Sequence, residues 1–249
     1  MDLIEVNDVE KHYQRLVAVK NLTFTIKAGD FVTFVGPFGC GKTTILNLIG
    51  GITENYKGSI LINSESPIII RKKRKIGFCF QKPNLLPWMN ALENVLLPQK
   101  IASLKEDREK GLKFLKMVGL DRFADKRPYE LSGGMQQLVS IARGLILNPD
   151  ILLLDEPLSS IDEINRSKLH LKLLEIHRQT KKTTIMVTHS INEAVFLSNQ
   201  VIVLTSRPAK VRKIVDIEIT QRNEETVYSD KFLKYAELIK EELRNGQTN

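Results

Sequence analysis

Gly36-Pro37-Phe38-Gly39-Cys40-Gly41-Lys42-Thr43 has the spacing G-x-x-x-x-G-K-[ST], and each residue type in it suits phosphate. Glycines let backbone N–H groups turn inward around an anion, and a helix starting at the lysine aims its positive end at the same charge. Lys42 offers a compact ammonium to the outer phosphates and Thr43 a hydroxyl to Mg²⁺. A second group is Ile151-Leu152-Leu153-Leu154-Asp155-Glu156. An apolar strand ending in two carboxylates puts them at the carboxyl edge of a sheet, where α/β folds bind ligands. There Asp155 is placed to hold Mg²⁺ through water, and Glu156 to polarise a water that attacks the terminal phosphate. An Asp-Glu pair alone is an ordinary surface feature; beside a phosphate loop it reads as phosphoryl chemistry. The third group is Leu131-Ser132-Gly133-Gly134-Met135-Gln136-Gln137, whose Ser-Gly-Gly opens a helix and makes a second anion-binding N-terminus. One nucleotide does not need two such cradles from one chain, which suggests a ligand shared between two copies.

Strands and helices must carry these groups. Leu3–Val9 alternates, Val17–Ile26 is rich in β-formers, and Phe31–Val35 is a short apolar strand entered by the turn Lys27-Ala28-Gly29-Asp30. After Gly36 the spacing turns helical over Thr43–Ile49, with Gly50-Gly51 as its end. From Pro83 to Pro149 the pattern is mostly helical, at Asn90–Leu97, Lys105–Val118 and Ser132–Leu147. Ile151–Leu154 reads as a parallel strand buried on both faces, Thr183–Thr188 and Gln200–Leu204 as further strands, and Arg166–Arg178 as a helix. That alternation predicts an α/β sheet. Phe232, Tyr235, Ala236, Ile239 and Leu243 share one face of a last helix capped by Ser229 or Asp230. It reads as a helix packed on its own domain, with a dimer or partner contact as the alternative.

Composition narrows the class. The 249 residues carry 37 basic and 29 acidic side chains, a net +8, with 42% hydrophobic and 27% charged residues. These values exclude a disordered chain, a coiled coil and a collagen-like repeat. Two cysteines make no disulfide framework and suit a reducing compartment; Cys40 and Cys79 read as small loop or strand residues without a redox role. No stretch approaches the ~18 apolar residues of a membrane span, and the acidic, alternating start predicts no signal peptide. The basic run Arg71-Lys72-Lys73-Arg74-Lys75 lacks interleaved aromatics and reads as a solvated loop before a strand at Ile76–Phe80, attraction to anionic lipid being the second reading. Nucleic acid is not expected as a partner.

Taken in order, the motifs resemble those of the ATP-binding cassette ATPases, and in particular the nucleotide-binding subunits of bacterial ABC importers. The resemblance runs from Leu3 to about Lys213. The phosphate loop Gly36–Thr43 is followed by the glutamine loop Phe80-Gln81 and the signature Leu131–Gln137. Asp155-Glu156, then Ser159-Ser160-Ile161-Asp162, then Thr188-His189 complete the series. The resemblance implies an α/β P-loop NTPase cassette with a RecA-like core, an antiparallel β subdomain and a helical subdomain. The cassette would span residues 1–225, its helical part about 83–149, with a C-terminal helical tail at 226–249. It also implies ATP and Mg²⁺ as cofactors. Tyr13 would stack on adenine, with packing in the β layer as its plainer role. Gly36, Pro37, Phe38, Gly39, Cys40, Gly41, Lys42, Thr43 and Thr44 would surround the phosphates. Thr43, Gln81 and Asp155 would serve the metal, and Glu156, His189 and Gln81 the hydrolysis. Ser132, Gly133 and Gly134 would reach the nucleotide of an opposite subunit, and Asp162 would report across that interface. The partners implied are membrane permease subunits, a second cassette as homodimer, and an extracytoplasmic solute-binding protein, with the chain peripheral on the inner face of the membrane.

Gln81-Lys82-Pro83-Asn84-Leu85-Leu86-Pro87-Trp88, Met135 and Ser206-Arg207-Pro208 look like the group that imports nitrate, taurine and aliphatic sulfonates; pyrimidine-precursor importers use similar cassettes. Several positions depart from the family pattern. Phe38 stands where relatives carry Ser or Asn, either hindering dimer closure or pointing aside. Leu138 replaces an Arg, Ser190 an Asp, and Asn199-Gln200 an Asp-Arg. The rival reading is a soluble ABC ATPase acting as a mechanical switch, but the chain has neither a second cassette nor a long coiled coil. A kinase is excluded by the signature.

Overall fold

The computed structural model describes residues 2–159 and 163–246, the side chains of 163–165 excepted. In chain order it has strands β1 (Asp2–Tyr13), β2 (Leu16–Lys27) and β3 (Phe31–Val35), helix α1 (Lys42–Ile49), strand β4 (Lys57–Ile62), helix α2 (Pro67–Lys72) and strand β5 (Ile76–Cys79). Helices α3 (Ala91–Ile101), α4 (Arg108–Met117) and α5 (Gly133–Leu145) follow, then β6 (Ile151–Asp155), α6 (Glu163–Thr180), β7 (Thr183–Thr188) and α7 (Ile191–Leu197). Strands β8 (Gln200–Leu204) and β9 (Val211–Asp216) and helix α8 (Asp230–Asn245) close the chain. Two compact units result, one of residues 1–73 with 181–249, the other of 74–180.

In the first unit β1 lies between β2 and β4, antiparallel to both. Alternation sends Ile4 and Val6 inward, opposite Ile26 and Phe24 on one side and Ile62 and Ile60 on the other. In the same unit β3 runs parallel to β7 and β8, with Val35 level with Thr188 and Val203. All of β3 and β7 is buried, the threonines among their apolar residues included, as strands covered on both faces require. Phe24 meets Phe34 edge to face at 5.1 Å and ties the two layers together. The turn at Gly51 needs glycine: φ is +62°, and a Cβ would come within 2.8 Å of the Pro67 backbone. The basic run is corrected here, because Arg71 and Lys72 form the last turn of α2 rather than a loop. Pro67 presets the first turn and the cations sit at the negative end of the helix. The last helix packs within its own unit. Ser229 caps α8, Phe232 and Ile239 are buried, and Arg212 pairs with Glu242 at 3.1 Å.

In the second unit β5 and β6 are parallel, Cys79 level with Leu154. Helix α5 presses on β5 so closely that a Cβ at Gly77 would collide with the Gly144 carbonyl. Helix α3 starts at a complete capping box, Asn90 with Glu93, and continues through Pro98 instead of ending at Leu97. The Ala102 N–H donates to the Pro98 carbonyl at 3.0 Å, so the helix closes a further turn beyond the proline, whose missing N–H costs only its own bond to the Asn94 carbonyl.

Candidate nucleotide site

Each unit brings its chemical residues out at the carboxyl ends of neighbouring parallel strands. In the first unit β3 runs into the phosphate loop and β7 into His189, and the two strand ends, Val35 and Thr188, are level. Gly41, at φ +124°, cannot carry a side chain: a Cβ would sit 2.9 Å from the Ala18 carbonyl. Lys42 is buried and its Nζ donates to the carbonyls of Gly36 and Pro37, both at 2.9 Å, spanning the loop from inside. No side chain caps α1, so its first-turn N–H groups face the loop, the arrangement that receives an anion. Cys40 is buried in the same loop, and burial raises its thiol pKa; it is a spacer rather than a nucleophile. Thr43 is exposed at the mouth, and Phe38 is 96% exposed, its ring in solvent.

His189 is exposed, and the residues on either side of it are locked. The Thr188 hydroxyl donates to the buried Glu193 carboxylate at 2.6 Å and accepts from the Ser190 N–H at 3.1 Å. Ser190 Oγ in turn accepts from the Glu193 N–H at 3.3 Å and caps α7. Ser190 therefore gives the helix a side-chain N-cap.

In the second unit β5 leads into Phe80-Gln81 and β6 into Asp155-Glu156. Gln81 Nε2 reaches Ser159 Oγ at 3.3 Å and Glu156 Oε2 at 3.5 Å. Glu156 stands at φ +42°, a left-handed conformation that is uncommon outside glycine and clusters at functional sites. The segment around Gln81 is held by α5, the helix that the signature opens. Gln137 donates to the Phe80 carbonyl at 3.2 Å and to Cys79 Sγ at 3.1 Å. Arg143 donates to the carbonyls of Asn84 (2.8 Å) and Pro83 (2.5 Å). Leu138 is buried. At the start of α5 Ser132 Oγ accepts from the Met135 N–H, and Ser132 and Gly133 are exposed. Ser160, Ile161 and Asp162 lie outside the described residues.

The donor set fits the implied cofactors. The loop offers backbone N–H groups and one lysine to phosphate. Thr43 and Asp155 are oxygen donors, the type Mg²⁺ takes when phosphate oxygens complete its shell. The described residues hold no cluster of three or more His, Cys, Asp or Glu. Such a cage is not needed for a metal that arrives with a nucleotide.

Four supporting residues escaped the sequence reading: Lys11, Asn94, Arg143 and Glu193. The S-x-x-E spacing of Ser190 and Glu193 was a usable signal. So was alternation, which puts Lys11 on the buried face of Val9. Asn94 and Arg143 gave none, because they act on carbonyls of a loop.

This combination of phosphate cradle, paired carboxylates after an apolar strand and Ser-Gly-Gly helix start defines an ATP-binding cassette. Residues 19–159 match the ABC transporter family, and the chain belongs to it. It is 38% identical over 217 residues to the aliphatic sulfonates import ATP-binding protein SsuB of Bacillus cereus, covering 86% of this chain and 85% of the relative. It is 42% identical over 217 residues to the taurine import ATP-binding protein TauB of Rhizobium johnstonii, covering 86% and 82%. Among solved structures it resembles a dimeric post-hydrolysis state of the cassette MJ0796 bound to ADP and Pi. That match has a TM-score of 0.75 and 34% identity, covering 87% of this chain and all of that one. The chain is an ATPase of this family.

Proposed function

We propose that this ATPase is the nucleotide-binding subunit of an importer for a small sulfonate-, taurine- or nitrate-like solute. It would work as a pair of cassettes on membrane permease subunits, supplied by an extracytoplasmic solute-binding protein. The relatives named for aliphatic sulfonates and taurine support the import reading, and the dimeric cassette supports the pairing. No described helix is long and apolar enough to cross a membrane, which suits a subunit peripheral on the inner face. Residues 1–225 would form the cassette, with helices at about 83–149, and 226–249 a helical tail.

The observation that carries the reading is that one chain bears both a phosphate cradle and an exposed Ser-Gly-Gly helix start. In a head-to-tail pair, Ser132, Gly133 and Gly134 of one cassette would complete the site built on Lys42 of the other. When bound, Mg²⁺ and ATP supply the neutralised phosphoanhydride that is cleaved. Gly36–Thr44 bind and orient the phosphates, and Tyr13 stacks on the base. Thr43, Asp155 and Gln81 would hold the metal, which would neutralise charge on the phosphates. Glu156 accepts the proton of the attacking water, and His189 holds the terminal phosphate in line with it. ATP favours the closed pair only through its better binding to that state, so hydrolysis reopens it.

The second unit also carries a groove of about 500 Å³ lined by Phe78, Phe80, Leu97, Pro98, Ile101 and Leu147. We infer that a permease subunit engages the helical layer near Gln81–Asn94, and Phe80 of this groove is the neighbour of Gln81. Glu156→Gln is expected to bind ATP, accumulate as a closed dimer on size-exclusion chromatography and lose turnover by about 100-fold or more. Near-normal turnover would remove Glu156 from the base role. Purification from native membranes in mild detergent should bring down a multi-span permease; ribosomes or soluble assembly factors instead would overturn the transport reading and leave the ATPase intact.

A further inference from the structure

We propose that Lys11 is a positioning residue for adenine recognition, holding Tyr13 in register with the phosphate cradle. The inference rests on the reading of Tyr13 as the base platform. Irregular pairing of β1 with β2 on both sides of Lys11 re-aims the side chains at this end of the strand. Lys11 is only 6% exposed, whereas Tyr13, two residues on, is 42% exposed. The Lys11 ammonium donates to the carbonyls of Glu54 (2.6 Å) and Asn55 (3.0 Å) and lies 5.0 Å from the centre of the Tyr13 ring. Among the described residues no carboxylate pairs with it.

A buried ammonium without a counter-ion is costly, and an apolar side chain would fill the same space more cheaply. Here the charge is spent on two carbonyls and one aromatic face. The distance is that of a cation–π contact. With one face of Tyr13 covered by Lys11, a base stacks on the opposite face. The two carbonyls belong to the segment that leaves α1: the N–H groups of Ile52 and Thr53 both donate to the Asn47 carbonyl. Lys11 thus joins the base platform to the exit of the helix that begins at the phosphate loop. It fixes the distance between the two ends of the nucleotide.

The test is calorimetric titration of the full chain, in Mg²⁺, with ATP and separately with inorganic tripolyphosphate. Lys11→Met is expected to weaken ATP by about tenfold, within the range for loss of a base–aromatic stack, and to leave tripolyphosphate within about twofold. Lys11→Arg, which keeps the charge and the donors, is expected to restore ATP binding. Lys11→Gln keeps a donor for the Glu54 and Asn55 carbonyls without the charge, and stands in if Lys11→Met does not fold. Unchanged ATP binding in both Met and Gln variants, or equal loss of ATP and tripolyphosphate, would overturn the proposal. Tyr13→Ala separates the two readings. If it binds ATP like the wild type, the platform itself falls; if it weakens ATP while the Lys11 variants do not, only the role of Lys11 falls.

Discussion

Cys79 shows how a single buried group sets a pH limit. Enclosed between β5 and α5, with Ser140 and Gln137 on its sulfur, its thiol is pushed by burial from 9.0 up to about 11. Between these values the unfolded chain releases the thiol proton while the folded chain keeps it. The folded state therefore binds more protons, and stability falls as pH rises through that window. The shift corresponds to about 2–3 kcal/mol lost by pH 11. Chemical denaturation at pH 8 and pH 11 should show the wild type losing more stability than Cys79→Ala over that interval. Equal losses would remove the thiol from the balance. Glu156 illustrates the opposite economy, a backbone held at φ +42° at the residue assigned to proton transfer.

At the scale of elements, two short segments owe their shape to one polar side chain each. The α7 start depends on Ser190, whose Oγ accepts from the Glu193 N–H. Ser190→Asp should leave the melting temperature unchanged, whereas Ser190→Ala should cost about 1 kcal/mol, measurable by urea unfolding. The stretch before α3 depends on Asn94, fully buried. Its amide donates to the carbonyls of Leu86, Met89 and Asn90, and its oxygen accepts from the Leu86 N–H at 2.8 Å. Asn94→Leu keeps a similar branched shape but leaves the Leu86 N–H and the Met89 carbonyl without the amide, so a loss of about 2–4 kcal/mol is expected from thermal denaturation. Limited proteolysis should then cut near Trp88, a residue 66% exposed in the native fold.

For the whole molecule, ligand linkage is the measurable property. ATP at about 100 times its dissociation constant should stabilise the folded chain by about 2.7 kcal/mol, seen as a rise in melting temperature with Mg²⁺ and nucleotide. Lys42→Ala, which removes the ammonium bridging Gly36 and Pro37, should abolish that rise. A rise that persists unchanged would place nucleotide binding elsewhere. Phe38, 96% exposed beside the cradle, does not stabilise the monomer through burial, so Phe38→Ser should change the unfolding free energy without nucleotide, measured in urea, by no more than about 0.5 kcal/mol.

The sequence by itself determined the motifs and the strands that end in them. The apolar run Ile151–Leu154 and the mostly β-branched Thr183–Thr188 favour buried parallel strands, and the glycine spacing before Lys42 favours a tight loop around an anion. It did not reveal α2, β4 or β9, whose short, half-exposed stretches carry little periodicity. Nor could it show which side chains hold the motifs in place. Glu193 on Thr188, Arg143 on the glutamine-loop carbonyls and Lys11 on the Glu54–Asn55 turn all bond to groups brought near only by folding. Periodicity records which face of an element is buried. The partner of a buried polar atom depends on chain crossings far apart in sequence, and only tertiary structure decides it.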